Sequence, residues 1–322
     1  MKNIAFSIAE KLPNQSRKLI SVYLTFFVFF IITIFMDPTI LTSYSRLWPL
    51  SLQFAPLMLA AMSQASIMLT GGINLGLGAS LSLMTAVAAV VVTPGRGPAG
   101  VLITIISGML VGLLMGVVVV FGKLPDIIVT LAFSYIWHGI ALTILPVPGG
   151  NLDPAYVKLL NGPNFFSVAV LTVAFALLVW KFLKMTKLGL SIYAAGGNSK
   201  SAFENGINVK AARISGYVMS GFFISLAGLV LVGQTGSGDP NIGSSYTMNS
   251  IAAATLGGVS FLGGVGQMKG VVMGSFIFTA LINILFFSGL SPFYQYVVQG
   301  IILIVAIGLN AISYYRKGGD RG

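Results

Sequence analysis

The chain has no cysteine, a single histidine (His138) and only seven acidic residues among 322. Without cysteine there are no disulfides, thiolate metal sites, iron–sulfur clusters or thiol catalysis. One histidine leaves no multi-histidine metal centre, so no metal ligand, cofactor or catalytic residue is expected. A P-loop and a dinucleotide-type glycine fingerprint are both missing, and Gly-Lys-Ser/Thr occurs nowhere. Any nucleotide chemistry therefore belongs to a partner. Charge of either sign is scarce too: 8% of residues are Asp, Glu, Lys or Arg, against about a quarter in ordinary globular chains.

Apolar residue dominates instead. Hydrophobic residues make up 56% of the chain, its mean hydropathy is +0.94, and 18 Lys and Arg leave a net charge of +11. A soluble surface of that composition would be largely greasy, so the solvent for most of the chain is lipid. A spanning helix needs roughly 20 mostly apolar residues. Ten such runs are predicted, near 19–36, 51–69, 75–93, 98–121, 127–145, 165–183, 214–233, 248–262, 270–287 and 294–313. The weakest is 248–262, which is short and carries Asn249, Gly257 and Gly258. The first run is too long for a secretory signal and no small-residue cleavage site follows it, so it is expected to stay as an anchor.

Lys and Arg positions set the orientation. With ten spans and the N-terminus inside, 15 cations fall on one side and only Arg46, Arg96 and Lys158 on the other, while the acids divide four to three. Both termini are therefore expected in the cytoplasm, so either the eighth run crosses or an even number of the others does, and full crossing and re-entry both stay open for 248–262. The cations are dispersed along helix ends, which speaks against a nucleic-acid partner.

The chain also resembles itself. Gly71-Gly72-Ile73-Asn74-Leu75-Gly76 aligns with Gly238-Asp239-Pro240-Asn241-Ile242-Gly243 at an offset of 167 residues, and the same offset carries Pro125 onto Pro292. One unit of five spans would cover about 19–145 and a second about 165–313. An odd number of spans forces the two units to be inverted. Inverted repeats with glycine- or proline-broken helices at matching places are a transporter feature, because irregular backbone in a bilayer needs protein or water to satisfy it.

No Asp, Glu, Lys or Arg sits well inside a span, and Asp126 stands at a boundary beside Pro125. That argues against ion-coupled transport, which commonly needs an intramembrane carboxylate, and favours a neutral, polar solute. The polar residues inside spans are Gln64, Asn74, His138, Asn249, Asn283, Gln299 and Asn310. For Asn283, Gln299 and Asn310 the expectation is interhelical hydrogen bonding, and for His138 a packed neutral imidazole. Asn74 and Asn249 adjoin glycine breaks, so a path-lining role and a bonding role both stay open. Gly108, Gly112 and Gly116 stand four apart and let helices approach closely; packing within the chain is preferred there to a dimer interface.

The longest polar stretch on the basic side is 184–213. Within it, Ser199–Asn205 can form a short helix capped by Asn198 or Ser199 and stopped by Gly206. Such a piece is placed to dock into a partner.

Several runs resemble a known family. Leu69-Thr70-Gly71-Gly72-Ile73-Asn74-Leu75-Gly76-Leu77-Gly78, Leu124 through Leu131, Tyr193-Ala194-Ala195-Gly196-Gly197-Asn198 with Gly206-Ile207-Asn208-Val209, Ile251 through Gly266, and Gly289-Leu290-Ser291-Pro292-Phe293 with Gln299-Gly300 resemble the ribose-type sugar permeases of ATP-binding cassette importers. That group lies within the branched-chain amino acid/sugar permease superfamily. The likeness runs in order from about 50 to 310. It implies an all-α polytopic protein forming one permease domain over 1–322, in a bacterial inner membrane. The implied partners are a second permease copy or paralogue, a cytoplasmic ATPase, an extracytoplasmic solute-binding protein and membrane lipid. It also implies a path or gate at Gly71, Gly72, Asn74, Gly76, Gly78, Asn241 and Asn249. ATPase coupling falls to Gly196, Gly197, Asn198, Ala202, Phe203, Glu204 and Gly206. The chain departs from the pattern where Asn74 replaces an Asp, where Gly76 replaces a Ser, and at Ala202-Phe203-Glu204-Asn205. A simple sugar is the first expectation for the solute, a nucleoside or autoinducer-type solute the second. An ion-coupled secondary carrier is the rival of another class.

Overall fold

The computed structural model describes residues 14–36, 44–162 and 167–289, together with scattered positions between 291 and 308. Both termini, Pro292, Asn310 and much of the tenth predicted span lie outside the described residues. Among the described residues the structure is all-helical: α1 (Asn14–Met36), α2 (Tyr44–Met68), α3 (Leu77–Val91), α4 (Gly97–Gly122), α5 (Asp126–Ile144), α6 (Pro154–Asn161), α7 (Val168–Met185), α8 (Lys187–Gly197), α9 (Ser199–Glu204), α10 (Val209–Thr235), α11 (Tyr246–Leu256) and α12 (Met268–Phe287). Five of them, α4, α5, α7, α10 and α12, are long and apolar enough to cross a membrane; α3 and the apolar part of α1 are shorter.

Breaker residues set the ends of these helices. Pro98 sits in the first turn of α4 and Pro154 opens α6, where a missing N–H costs nothing. The Asp153 carboxylate accepts the Ala155 N–H at 2.9 Å and caps α6. Gly236, in the left-handed region at φ +68°, ends α10.

The centre of the bundle is α10, packed on one side by α4 and on another by α2. Gly108 and Gly112 of α4 lie directly on the α10 carbonyls of Gly221 and Tyr217, and Gly116 faces the Tyr217 side chain. The three-glycine stripe is thus an intramolecular seam. Between α2 and α10 the contact is polar: Ser63 and Ser220 share a 2.7 Å hydrogen bond, and Ser66 Oγ donates to the Gly216 carbonyl at 3.1 Å. By contrast α5 and α7 leave broad apolar faces exposed, among them Ile128, Leu131, Ile136, Val170, Phe175 and Leu178.

Loops gather at two opposite ends. At one, Gly149 and Gly238 form an antiparallel bridge, while the Asn151 and Asp153 N–H groups donate to the Ala89 and Val92 carbonyls. At the other, the segments following α2, α4 and α11 converge with the end of α8 around Gly71, Asp126, Gly196 and Gly263.

The eighth predicted span takes a form the sequence does not suggest. Its helix, α11, has 11 residues, about 16 Å at 1.5 Å per residue, half of a ~30 Å hydrocarbon core. Irregular backbone precedes it. From Gly238 to Thr247 the chain runs antiparallel to α3, meeting Ala89, Thr85, Ser82 and Gly78 in turn.

Candidate functional site

The first break follows α2. Gly71 adopts φ +87°, a conformation glycine takes without strain, and the chain leaves the helix. Several of the freed backbone groups are met from within. The Asn74 amide oxygen accepts the Gly76 N–H at 2.9 Å, and the Leu75 N–H donates to Thr130 Oγ1 at 3.0 Å. The buried Gln64 amide, oriented to satisfy both bonds, donates to the Asn74 carbonyl at 3.1 Å and accepts the Asn74 N–H at 3.2 Å. Internal satisfaction of this kind lets a broken helix persist in a bilayer. Asn74 is 1% exposed, with its side-chain oxygen on the turn it makes, a turn an aspartate makes equally well. Gly76 has no room for a larger residue, since a Cβ there would stand 2.5 Å from the Thr130 carbonyl.

The second break interlocks with the first. The Thr85 hydroxyl donates to the Asp239 carbonyl at 2.9 Å, the Gly243 N–H donates to Ser82 Oγ at 2.9 Å, and the Gly78 N–H donates to Thr247 Oγ1 at 3.0 Å. A Cβ on Gly78 would lie 2.3 Å from the Gly243 carbonyl, so the two breaks touch backbone to backbone. Asn241 is exposed, its N–H held by the Asp239 carboxylate at 2.8 Å. Just beyond, a cavity of about 380 Å³ opens beside the first turn of α11, lined by Ser244, Ser245, Met248, Asn249, Phe278 and Gln299 among others. Of the polar residues predicted inside spans, the structure brings Asn249 and Gln299 to this cavity. It instead pairs Asn283 with Gln53, through amide bonds of 2.8 and 3.2 Å, and leaves His138 half-buried on α5.

At the end of the bundle near Gly71, Asp126 carries an arrangement the sequence reading passed over. Arg213 Nη2 lies 2.6 Å from its Oδ2, and the Tyr217 hydroxyl donates to its Oδ1 at 2.7 Å. The carboxylate faces Gly72 so closely that a Cβ there would stand 3.0 Å from it. The available signal was the i, i+4 spacing of Arg213 and Tyr217, which puts both on one face of α10.

The polar segment folds as α8 and α9. The Thr186 hydroxyl accepts the Gly189 N–H at 3.3 Å, the Asn198 side chain accepts the Ser201 N–H at 3.0 Å, and Gly206 turns away at φ +78°. Ala202 is buried, whereas Phe203 is 73% exposed and Glu204 exposed beside it. Gly196 presses on the first break: a Cβ there would lie 2.0 Å from the Leu69 carbonyl and 2.7 Å from the Gly264 nitrogen. The Gly264 N–H donates to that same Leu69 carbonyl at 3.0 Å, and a Cβ on Gly263 would stand 2.8 Å from the Gly71 nitrogen. Three chain segments meet there with almost no side chain between them.

Comparison with known proteins gives a consistent result. The family described as branched-chain amino acid transport system / permease component matches residues 47–307. The galactose/methyl galactoside import permease protein MglC of Salmonella typhimurium is 31% identical over 322 residues, covering 92% of this chain and 95% of that one. The ribose import permease protein RbsC of Bacillus subtilis is 33% identical, covering 89% and 91%. The D-allose transport system permease protein AlsC of Escherichia coli is 31% identical, covering 94% and 96%. No solved structure matches.

Proposed function

Since the chain belongs to the branched-chain amino acid transport system / permease component family, we propose that it is the membrane-spanning subunit of an ATP-driven importer for a simple sugar. The observation that carries this reading is the match itself, which covers both breaks and the α8–α9 segment, together with relatives named as galactose, ribose and allose permeases. The protein supplies the path and no catalysis; ATP hydrolysis belongs to a separate cytoplasmic subunit, and solute arrives from a binding protein outside.

Ten membrane passes with both termini inside make up the topology of this reading. Its support is that the loops assigned to the cytoplasm, near 71, 126, 196–213 and 263, contact one another, and those assigned outside, near 92, 149 and 238, do likewise. In a bacterial inner membrane, 15 cations then face the cytoplasm. The inverted pair of units finds support in the order of elements: α2, α3 and α4 are followed by α10, α11 and α12 with ends displaced by close to 167 residues. The role of Gly71, Gly72, Asn74, Gly76, Gly78, Asn241 and Asn249 is to form and gate the path. The segment 184–213, with Gly196, Gly197, Asn198, Ala202, Phe203, Glu204 and Gly206, receives the ATPase. A second permease subunit, identical or paralogous, completes the translocation unit.

The test is uptake of labelled galactose, ribose and allose by cells that lack their own sugar permeases. These cells would express this chain with its partner ATPase and solute-binding protein. Uptake that needs all three proteins and ATP is the expected result. Uptake that survives ATP depletion while an ion gradient is kept would overturn the reading in favour of a secondary carrier.

A further inference from the structure

Along α7 the contact with α10 changes character. Toward Trp180 it is closed by aromatic rings: Phe175 and Phe222 lie 6.3 Å apart between ring centres, and Trp180 and Phe223 lie 6.1 Å apart. Toward the start of α7 a cavity of about 690 Å³ opens between α4, α6, α7 and α10. Its walls include Val101, Leu160, Val168, Leu226, Leu229 and Val230, and Leu159 in the same lining is 50% exposed. The hydroxyls in the lining are already bonded within the protein. Tyr156 donates to the Leu229 carbonyl at 2.9 Å, and Thr172 donates to the Val168 carbonyl at 2.8 Å. The buried side-chain atoms left without a partner, on Trp137, Trp180, Tyr193, Arg213 and Thr279, belong to residues outside the lining. A trapped water needs two to four polar partners, and apolar cavities stay dry. This space therefore suits a hydrocarbon occupant.

We propose that the cavity is a lipid site, seating one acyl chain of a phospholipid whose headgroup carries a primary ammonium. The inference rests on the chain's place in a membrane and not on the solute it moves. Apolar surface continues from the cavity onto the outside of the bundle through Leu102 of α4 and Leu171 of α7, which are 58% and 51% exposed and each adjoin a lining residue. An acyl chain can thus enter sideways from the bilayer. A methylene takes up about as much room as a water molecule in the liquid, roughly 30 Å³, so the volume of about 690 Å³ holds one chain of ordinary length and not two. Charge then selects the headgroup. Asp153 is the charged residue in the lining. Its Oδ1 caps α6 through the Ala155 N–H, while its Oδ2 lies over the first turn of α4, 3.3 Å from where a Cβ on Gly97 would stand. Arg96 directly precedes Gly97, Lys158 directly precedes Leu159, and both are exposed. Among the described residues neither forms an ion pair with Asp153. A carboxylate flanked by two cations complements a zwitterion, its ammonium on Asp153 and its phosphate on Arg96 and Lys158, through charge-assisted hydrogen bonds. A choline headgroup has no N–H to donate, and a glycerol headgroup has no cation.

The experiment is native mass spectrometry of the purified full transporter, the permease with its partner subunits. It is first equilibrated with equal amounts of phosphatidylethanolamine, phosphatidylcholine and phosphatidylglycerol of one chain length. The unsubstituted protein should retain phosphatidylethanolamine at least fivefold over either of the others. Val101→Trp and Thr172→Trp fill the cavity from α4 and from α7 and should lower that retention at least fivefold. Leu171→Trp, outside the lining, should stay within twofold. Asp153→Asn can still cap α6 and should bring the three lipids level. Retention without headgroup preference in the unsubstituted protein overturns the proposal, as does equal retention in all four variants. If the tryptophan variants lose their thermal transition, Asp153→Asn decides alone, and an unchanged preference in it overturns the proposal. A second copy of this chain seated in the cavity would show as a disulfide-linked dimer of Val101→Cys under oxidation, and that result overturns it too. Lipid retention is read without any solute, so failure of the importer reading leaves the outcome standing.

Discussion

Arg213 and Tyr217, one turn apart on α10, hold the two oxygens of Asp126 at 2.6 and 2.7 Å. That clamp joins the start of α5 to the start of α10 and presses the carboxylate against Gly72, so the first break cannot open without straining it. The Asp126 side chain is 13% exposed and that of Arg213 is 30% exposed. The pair therefore lies between a surface bridge and a buried one.

Asp126→Ala leaves a half-buried guanidinium and a buried phenol without their acceptor. Breaking a fully buried pair costs about 3–5 kcal/mol, while solvent screening reduces exposed pairs to about 0–1 kcal/mol. The expected loss for this intermediate pair is about 1–3 kcal/mol, measured as a lower Tm in detergent. Asp126→Asn should lose less, because its side-chain oxygen still accepts from Tyr217. Equal Tm values for the unsubstituted protein and both variants would remove the clamp from the account.

Gly196 and Gly197 are adjacent in sequence but differ sharply in the space around them. A Cβ on Gly196 would stand 2.0 Å from the Leu69 carbonyl, whereas one on Gly197 would have the Gly264 Cα 4.0 Å away as its nearest neighbour. Gly196→Ala should push α8 off the first break and lower ATP-driven uptake more than fivefold in protein that still inserts. Gly197→Ala should stay within twofold. Similar effects of the two substitutions would show that the tight junction does not transmit the ATPase stroke.

Phe203 projects from α9 while its neighbour Ala202 is buried, as suits a short helix with one face on the permease and one toward a partner. Phe203→Asp should abolish uptake and solute-stimulated ATP hydrolysis together while the permease remains in the membrane. Unchanged stimulation in that variant would place the ATPase contact elsewhere.

Because the chain has no cysteine, single cysteines can be introduced without first removing any. Ser245→Cys and Asn249→Cys should react with a small polar thiol reagent and be protected by transported sugar. Ser250→Cys, on the fully buried side of α11, should stay unreactive. Labelling of Ser250→Cys with no reaction at Ser245→Cys would reverse the orientation assigned to α11.

Local features were largely legible in the sequence. The Asn198 cap, the stop at Gly206 and the positions of both breaks follow from short-range chemistry and recur in the structure. Features that depend on distant partners were not. Nothing near Asp126 announces Arg213, which lies 87 residues away. The short α11 was hidden because the extended stretch before it takes its hydrogen bonds from Thr85 and Ser82 of another helix. Gln299 looked like a residue for helix pairing, as Asn283 proves to be, and only the cavity separates their roles.

The central claim is that this permease moves a sugar with energy from ATP hydrolysed in a partner subunit. The most direct test is sugar uptake into proteoliposomes holding the permease, the ATPase and an external binding protein, with ATP enclosed and all ion gradients collapsed. The account predicts accumulation above the outside concentration, abolished when ATP is replaced by a non-hydrolysable analogue. Accumulation that is indifferent to ATP and appears only with a sodium or proton gradient would contradict it.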